Sequence, residues 1–136
     1  MAKEAGLAIT TLSVDDSGGV VRAIRNDILS FNFATPRGEQ DVTGIDKSAM
    51  ERLLLLADFS LDLTMSFNDA APPSSHDTFK TVPSTSVART VTINISGQSL
   101  PNEVLFTDYS FARAADGALV TTAPGRLSDG TVPTWA

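Results

Sequence analysis

Residues 59–68 alternate without a fault. Phe59, Leu61, Leu63, Met65 and Phe67 fall on one side, and Ser60, Asp62, Thr64, Ser66 and Asn68 fall on the other. A period of two is the signature of a strand with one buried and one wet face. Residues 89–96 repeat it, with Val91, Ile93 and Ile95 set against Thr90, Thr92, Asn94 and Ser96. Leu29, Phe31 and Phe33 against Ser30 and Asn32 make a third case. Further strands are expected at 7–14, 20–24, 39–43, 104–113 and 118–127. Asp15-Asp16-Ser17-Gly18-Gly19, Pro36-Arg37-Gly38, Ser96-Gly97, Asp116-Gly117 and Asp129-Gly130 punctuate the chain with the residues that tight turns need. The fold class is therefore mainly β.

The pattern changes at about 47–57, where one flanking α-helix is expected. Ser48-Ala49-Met50-Glu51 fits a capping box, with Asp46 as the competing N-cap. Lys47 and Glu51 are spaced as an i,i+4 pair, and Ile45, Ala49, Leu53 and Leu56 mark a core-facing stripe. Four consecutive leucines, 53–56, wrap more than one face. Leu55 therefore needs a second partner: either the helix is sandwiched, or part of it meets another chain. A short helical turn also fits Ser75-His76-Asp77-Thr78-Phe79, after the Pro72-Pro73-Ser74 loop.

The length of 136 residues fits one domain, 1–136, with short arms at each end. Cysteine is absent, which excludes a thiol nucleophile, a cysteine-ligated zinc and a disulfide scaffold within the chain. Only one histidine, His76, is present. The formal net charge of −6 repels phosphate, so clamping DNA or an anionic membrane is not expected. The 14 serines and 15 threonines, beside one Trp and one Tyr, suit polar strand faces rather than an aromatic pocket. Met1-Ala2-Lys3-Glu4 does not open a secretory leader, and Leu53-Leu54-Leu55-Leu56-Ala57 is too short to cross a bilayer, so no membrane insertion is expected. Asn94-Ile95-Ser96 matches a glycosylation sequon, discounted without a secretion signal.

Catalytic chemistry is mostly missing, and the expectation is that the protein is not an enzyme and holds no cofactor or metal. There is no phosphate loop, no G-x-S-x-G elbow and no H-E-x-x-H. Ser75-His76-Asp77 has the residue types of a triad, but sequence neighbours do not face one another as a triad requires. His76 is read as capping or packing at a loop-to-helix junction. Asp15-Asp16 sits in a Ser-Gly-Gly turn, where Asp serves the backbone. A calcium site there would match no EF-hand spacing.

The polar strand faces are short-chained, Ser, Thr, Asn and Asp, with almost no Lys, Glu or Arg. Exposed strands usually carry long charged side chains that guard against association. Two readings stay open from the residues alone: the wet face of a monomeric β-sandwich, or strands made to assemble through sheet edges.

A resemblance adds to this. Asp15-Asp16-Ser17-Gly18-Gly19, then Val21-Arg22-Ala23-Ile24 and Asn26-Asp27-Ile28-Leu29-Ser30-Phe31, resembles the N-terminal region of major tail tube proteins of phages with long non-contractile (siphovirus-type) tails. Gln40-Asp41-Val42-Thr43-Gly44, the alternating 60–68 segment and Ser75-His76-Asp77-Thr78-Phe79-Lys80 continue it. It spans roughly residues 8–130, and the order of the motifs carries it.

The resemblance implies two packed antiparallel sheets, a sandwich or barrel of the tail-tube type, with one flanking helix. It also implies hexameric rings stacked into a hollow tail tube, which DNA crosses without specific binding. Each subunit would lend about four strands to a continuous lumen barrel. Twenty-four strands spaced about 4.8 Å and tilted near 45° close a wall roughly 160 Å around, with a bore of roughly 40 Å. Ser60, Asp62, Thr64, Ser66, Asn68, Thr90, Thr92 and Asn94 are the candidates for the lumen. Ring stacking would use a hairpin at 33–44, its tip at Pro36, Arg37, Gly38 and Glu39, with Leu55, Trp135 and the chain ends 2–6 and 131–136. Trp135 is expected to dock on the core or on a neighbour. The implied partners are other copies of the chain, a tape measure protein, a tail terminator and distal tail proteins. The implied place is the virion tail, assembled in the host bacterial cytoplasm. The alternatives are a tube subunit of a contractile injection or type VI secretion apparatus and a monomeric β-sandwich glycan-binding module.

Overall fold

A computed structural model of the protein describes residues 3–136. Ten strands run in the order β1 (Ile9–Asp15), β2 (Val21–Ala23), β3 (Ile28–Ala34), β4 (Arg37–Asp41), β5 (Arg52–Ala57), β6 (Ser60–Ser66), β7 (Arg89–Ile95), β8 (Gln98–Phe106), β9 (Ser110–Arg113) and β10 (Leu119–Leu127). One short helix, α1 (Ser75–Phe79), lies between β6 and β7. An antiparallel sheet has the order β2-β1-β7-β8-β10-β6-β3, with β9 also on β10, and β4 and β5 form a separate pair. The fold is mainly β, as the alternation requires.

The large sheet does not lie flat. Ile9 and Leu12 of β1 line one cleft of about 320 Å³ with Ile28, Leu29, Ser30 and Phe31 of β3. In a flat sheet those strands would stand five spacings apart, roughly 24 Å. The sheet instead curls into a flattened, nearly closed barrel around one core. Leu12 and Val14 of β1, Leu61, Leu63 and Met65 of β6, Val91 and Ile93 of β7, and Leu100 and Val104 of β8 fill it. A five-residue helix cannot cover the apolar side of so many strands, so the two halves of the sheet cover each other.

Proline and glycine explain the irregular places. Ser99 and Glu103 direct backbone groups to the outer edge of β8, so Pro101 between them presents its missing N–H there and costs no ladder bond. Pro124 of β10 accepts from the Thr107 N–H through its carbonyl at 3.2 Å but has no N–H to return. The neighbouring strand breaks there into β8 and β9, where the sequence pattern predicts one strand over 104–113, and Tyr109 turns into the core. A Cβ on Gly125 would meet Val104 Cγ1 at 2.5 Å, so only glycine lets β8 approach β10. Ser96 and Gly97 adopt φ of 49° and 79°, the two-residue turn that joins β7 to β8.

The expected helix at 47–57 is corrected. Residues 52–57 are strand β5, paired with β4, and the helix of the fold is α1, where the shorter helical turn was expected. A four-leucine run suits either period, and an isolated helix of eleven residues would have had no core to pack on. The Lys47 to Glu51 pair does form, at 3.8 Å, across a turn rather than a helix.

Candidate functional site

Three surfaces stand out: two polar sheet faces and one apolar arm. On β6, Leu61, Leu63 and Met65 point into the core, while Ser60, Asp62, Thr64 and Ser66 point out. Pairing extends that outer face sideways. Asn32, Asp62 and Pro124 form one row, and Ser30, Thr64, Thr122 and Ser110 form the next. Arg126 opposes Ser60 and folds back, its Nη1 donating to the Gly125 carbonyl at 3.0 Å.

On β7, Thr90, Thr92 and Asn94 face outward beside Glu103, Pro101 and Ser99 of β8. The Thr90 hydroxyl donates to the Glu103 carboxylate. Around the barrel, β6 stands between β3 and β10, and β7 stands between β1 and β8. The two strands are therefore opposite walls, and their outer faces point apart. The eight residues expected on one lumen are not brought together. Ser60, Asp62, Thr64 and Ser66 share one face, Thr90, Thr92 and Asn94 share the other, and a channel on one side of the subunit takes only one set. Asn68 belongs to neither. Its amide donates to both oxygens of the buried Asp27 carboxylate, at 3.0 and 3.2 Å, and its own oxygen accepts from Ala70 N–H. Period two shows which residues share a side of a strand but not where that side points once the sheet curls.

The arm is the β4–β5 hairpin, which among the described residues pairs with nothing else. Its tip is held by Thr43, whose hydroxyl donates to Asp41 at 2.6 Å and accepts from Glu51 N–H at 2.8 Å. Bonds from the Thr43 hydroxyl and N–H hold the Asp41 carboxyl below its ordinary value. The tip thus lies at residues 42–51, not at Pro36, Arg37, Gly38 and Glu39, which are corrected to the root and first strand of the arm. The Pro36 carbonyl accepts from Asp58 N–H at 3.0 Å, and the Arg37 guanidinium donates twice to the Leu55 carbonyl, at 3.1 and 2.9 Å. The leucines of β5 are uncovered on both faces of the arm, Leu53 and Leu55 on one, Leu54 and Leu56, at 64% and 90% exposure, on the other, while β4 beside them carries Arg37, Glu39, Gln40 and Asp41. Val42, Ile45 and Met50 extend this surface to the tip. Of these, the sequence reading assigned only Leu55 to a contact with another chain; Ile45, Leu53 and Leu56, expected with Ala49 on a core-facing stripe, are corrected to exposed positions, because the segment forms an arm and not a helix on the core.

Trp135 packs near Phe33, ring centroids 6.2 Å apart, and Ala136 exchanges two backbone bonds with Ser99 of β8, each 2.9 Å. The C-terminal segment is thus docked on its own barrel. At the other end, Ala2 of the expected N-terminal arm lies outside the described residues.

The residues weighed for catalysis have structural tasks. Ser74 caps α1, its Oγ accepting from Asp77 N–H at 3.3 Å. Ser75 donates to the Ser66 carbonyl and Asp77 pairs with Lys80, so Ser75, His76 and Asp77 make no triad. The His76 ring lies 4.7 Å from that of Phe67, with Nδ1 3.1 Å from the Tyr109 hydroxyl. Burial raises the pKa of that hydroxyl. Asp16 accepts from the N–H groups of Gly18 and Val20 and pairs with Arg22 at 3.0 Å. Those bonds hold its carboxyl below the ordinary value, Val20 contributing most.

No family model matches the sequence, and no curated protein matches it. Solved structures do share the fold. A chain from the tail of an empty gene transfer agent particle, with C6 symmetry, aligns with a TM-score of 0.70 at 15% identity, covering 98% of each chain. A chain from the virion of a native gene transfer agent particle aligns at 0.69 and 15% identity, covering 97% of this chain and 99% of that one. A chain from the six-fold symmetrised baseplate of the anti-feeding prophage aligns at 0.68 and 13% identity, covering 100% and 97%. The protein therefore has the fold of subunits found in tail and baseplate particles.

Proposed function

We propose that the protein is a structural subunit of a virion tail, polymerising as stacked hexameric rings into a hollow tube that delivers DNA. The observation that carries this reading is the arm. A monomer that has completed its core has no reason to hold a leucine-lined hairpin in water on both faces, and an uncovered apolar surface of that kind marks an interface. The six-fold symmetry of the particles that hold two of the structural neighbours agrees with a ring of six. In the tube, the arm reaches the adjacent ring, and the cleft at its base, lined by Arg37, Leu54, Leu55, Leu56, Ala57 and Val132, is part of the same contact.

Electron microscopy of the concentrated protein, alone and with tail-initiation proteins, tests this. Rings or tubes with six-fold symmetry are expected. A protein that stays monomeric under all these conditions overturns the reading. A tube of a contractile injection apparatus is the second reading, and a sheath around the native tube separates the two. A glycan-binding module has less behind it, because Tyr109 is buried and Trp135 rests on Phe33.

A further inference from the structure

The arm leaves the barrel at one end of β3, and a cleft opens at the other. β3 runs from Ile28 to Ala34, and the first strand of the arm follows at Arg37. The cleft is the gap of about 320 Å³ where β1 faces the start of β3. Ile9 and Leu12 form one wall, Ile28, Leu29 and Phe31 form the other, and Arg25 also lines it. Leu29 is exposed there, so the subunit leaves apolar surface of this cleft uncovered.

The tip of the arm has matching chemistry. Ile45 is the most exposed large apolar side chain among the described residues, and Val42 and Met50 share the turn with it. The next residue is Asp46. The other charges of the tip are engaged, Lys47 with Glu51 and Asp41 with Thr43. Among the described residues, Asp46 pairs with no cation and Arg25 with no carboxylate. In a chain of net charge −6, an arginine left without a carboxylate beside an open apolar cleft fits an acidic visitor.

We propose that the cleft between β1 and β3 is the receptor for the arm of a copy in the adjacent ring, with Ile45 entering it and Asp46 pairing with Arg25. This rests on the ring reading above, which leaves the receiving surface of the arm unassigned. Insertion of Ile45 supplies apolar burial, and the ion pair fixes the register of the tip. The placement of the two surfaces supports the contact. They lie at opposite ends of one strand, roughly 20 Å apart along β3. The contact is therefore heterologous: each copy gives its arm to one neighbour and takes an arm from another. Repeated along an axis, such a contact does not close, and it stacks subunits head to tail.

Charge exchange tests the pair. Arg25→Asp and Asp46→Arg should each raise the protein concentration needed for tubes at least about tenfold, because each sets like charges against one another in the contact. The double variant should recover tubes near the original concentration. Both positions are exposed, so urea midpoints should stay unchanged, which separates loss of contact from loss of fold. Full assembly of both single variants, or a double variant as defective as the singles, overturns the pairing.

The absence of cysteine allows a second measurement. Asn26→Cys combined with Lys47→Cys places one thiol beside each member of the pair. Treated with a short bismaleimide, assembled tubes should give ladders that continue beyond the hexamer, because a head-to-tail chain of contacts runs the length of the tube. A ladder that stops at the hexamer puts the contact within a ring, and intact tubes with no ladder leave the cleft empty. Either result overturns the receptor and leaves the ring reading standing. No rings from the unmodified chain overturns both.

Discussion

Arg89 is among the largest side chains the protein buries, at 2% exposure, and no carboxylate pairs with it among the described residues. Its guanidinium donates to the carbonyls of Asp15 and Thr78 and to the Thr81 hydroxyl, and lies 5.8 Å from the Phe79 ring. Burial lowers its pKa, with the charges of Asp16 and Asp15 acting the other way. One side chain thus ties β1, α1 and the following loop to β7. Arg89→Ala leaves acceptors buried without a partner and opens a cavity, so it should cost about 3 kcal/mol, read as a lower urea midpoint. Asp16 predicts a pH effect. The fold favours its ionised form, so the stabilisation is complete above the ordinary value of 3.8 and is lost as pH falls through the lowered one. Asp16→Asn should therefore reduce stability at neutral pH and weaken its decline in acid. Equal acid sensitivity of the two proteins in urea titrations would contradict this.

At the scale of elements, the arm and β6 make opposite predictions from similar residues. Leu54→Asp and Leu56→Asp place charge where the subunit is already wet. Each should leave the urea midpoint of the monomer within about 0.5 kcal/mol of the unmodified protein and should abolish tubes in micrographs. Leu63→Asp buries an unpaired charge at a side chain with 0% exposure, and should give no soluble protein on expression. These elements were unequally legible. The long alternations of β6 and β7 identify both strand and core face, because period two over many residues excludes a helix; in β3 the strand is identified, but the bulge between Ile28 and Ser30 leaves Leu29 exposed and turns Ile28 to the core. Residues 53–56 do not, because four apolar residues in a row satisfy both periods. The strand at 98–103 was missed, with Pro101 at its centre tolerated only because its nitrogen lies on the outer edge.

At the scale of the molecule, the opposed directions of β6 and β7 separate two variants that sequence alone treats alike. Asp62→Lys with Thr64→Lys adds positive charge to the outer face of β6, whose polar rows span the four strands expected of each subunit in the channel wall. It should slow DNA release from tails shown by mass spectrometry to contain it. The effect should weaken with added salt, as screening over about 8 Å at physiological ionic strength requires. Thr92→Lys, on the opposite wall, should leave release unchanged. Slowing by Thr92→Lys alone would reverse the assignment of the faces. The candidate site was therefore half legible. The chemistry of both faces, short, neutral and mildly acidic, can be read along each strand. Their division between opposite walls depends on a pairing order, β7-β8-β10-β6, that no local pattern contains.

By itself the sequence determined the strand periodicity, the turns that require glycine, the absence of thiol chemistry and the short-chained polar faces. Each depends on neighbouring residues or on composition, and so survives without coordinates. Tertiary structure alone decided that 52–57 would be strand rather than helix, that the sheet would curl until β1 faced β3, and that Ala136 would tie down the edge of β8. Those outcomes follow from contacts between segments far apart in the chain. Burying both apolar sheet faces at once left only a rolled sheet, and the rolling set which polar residues share a surface.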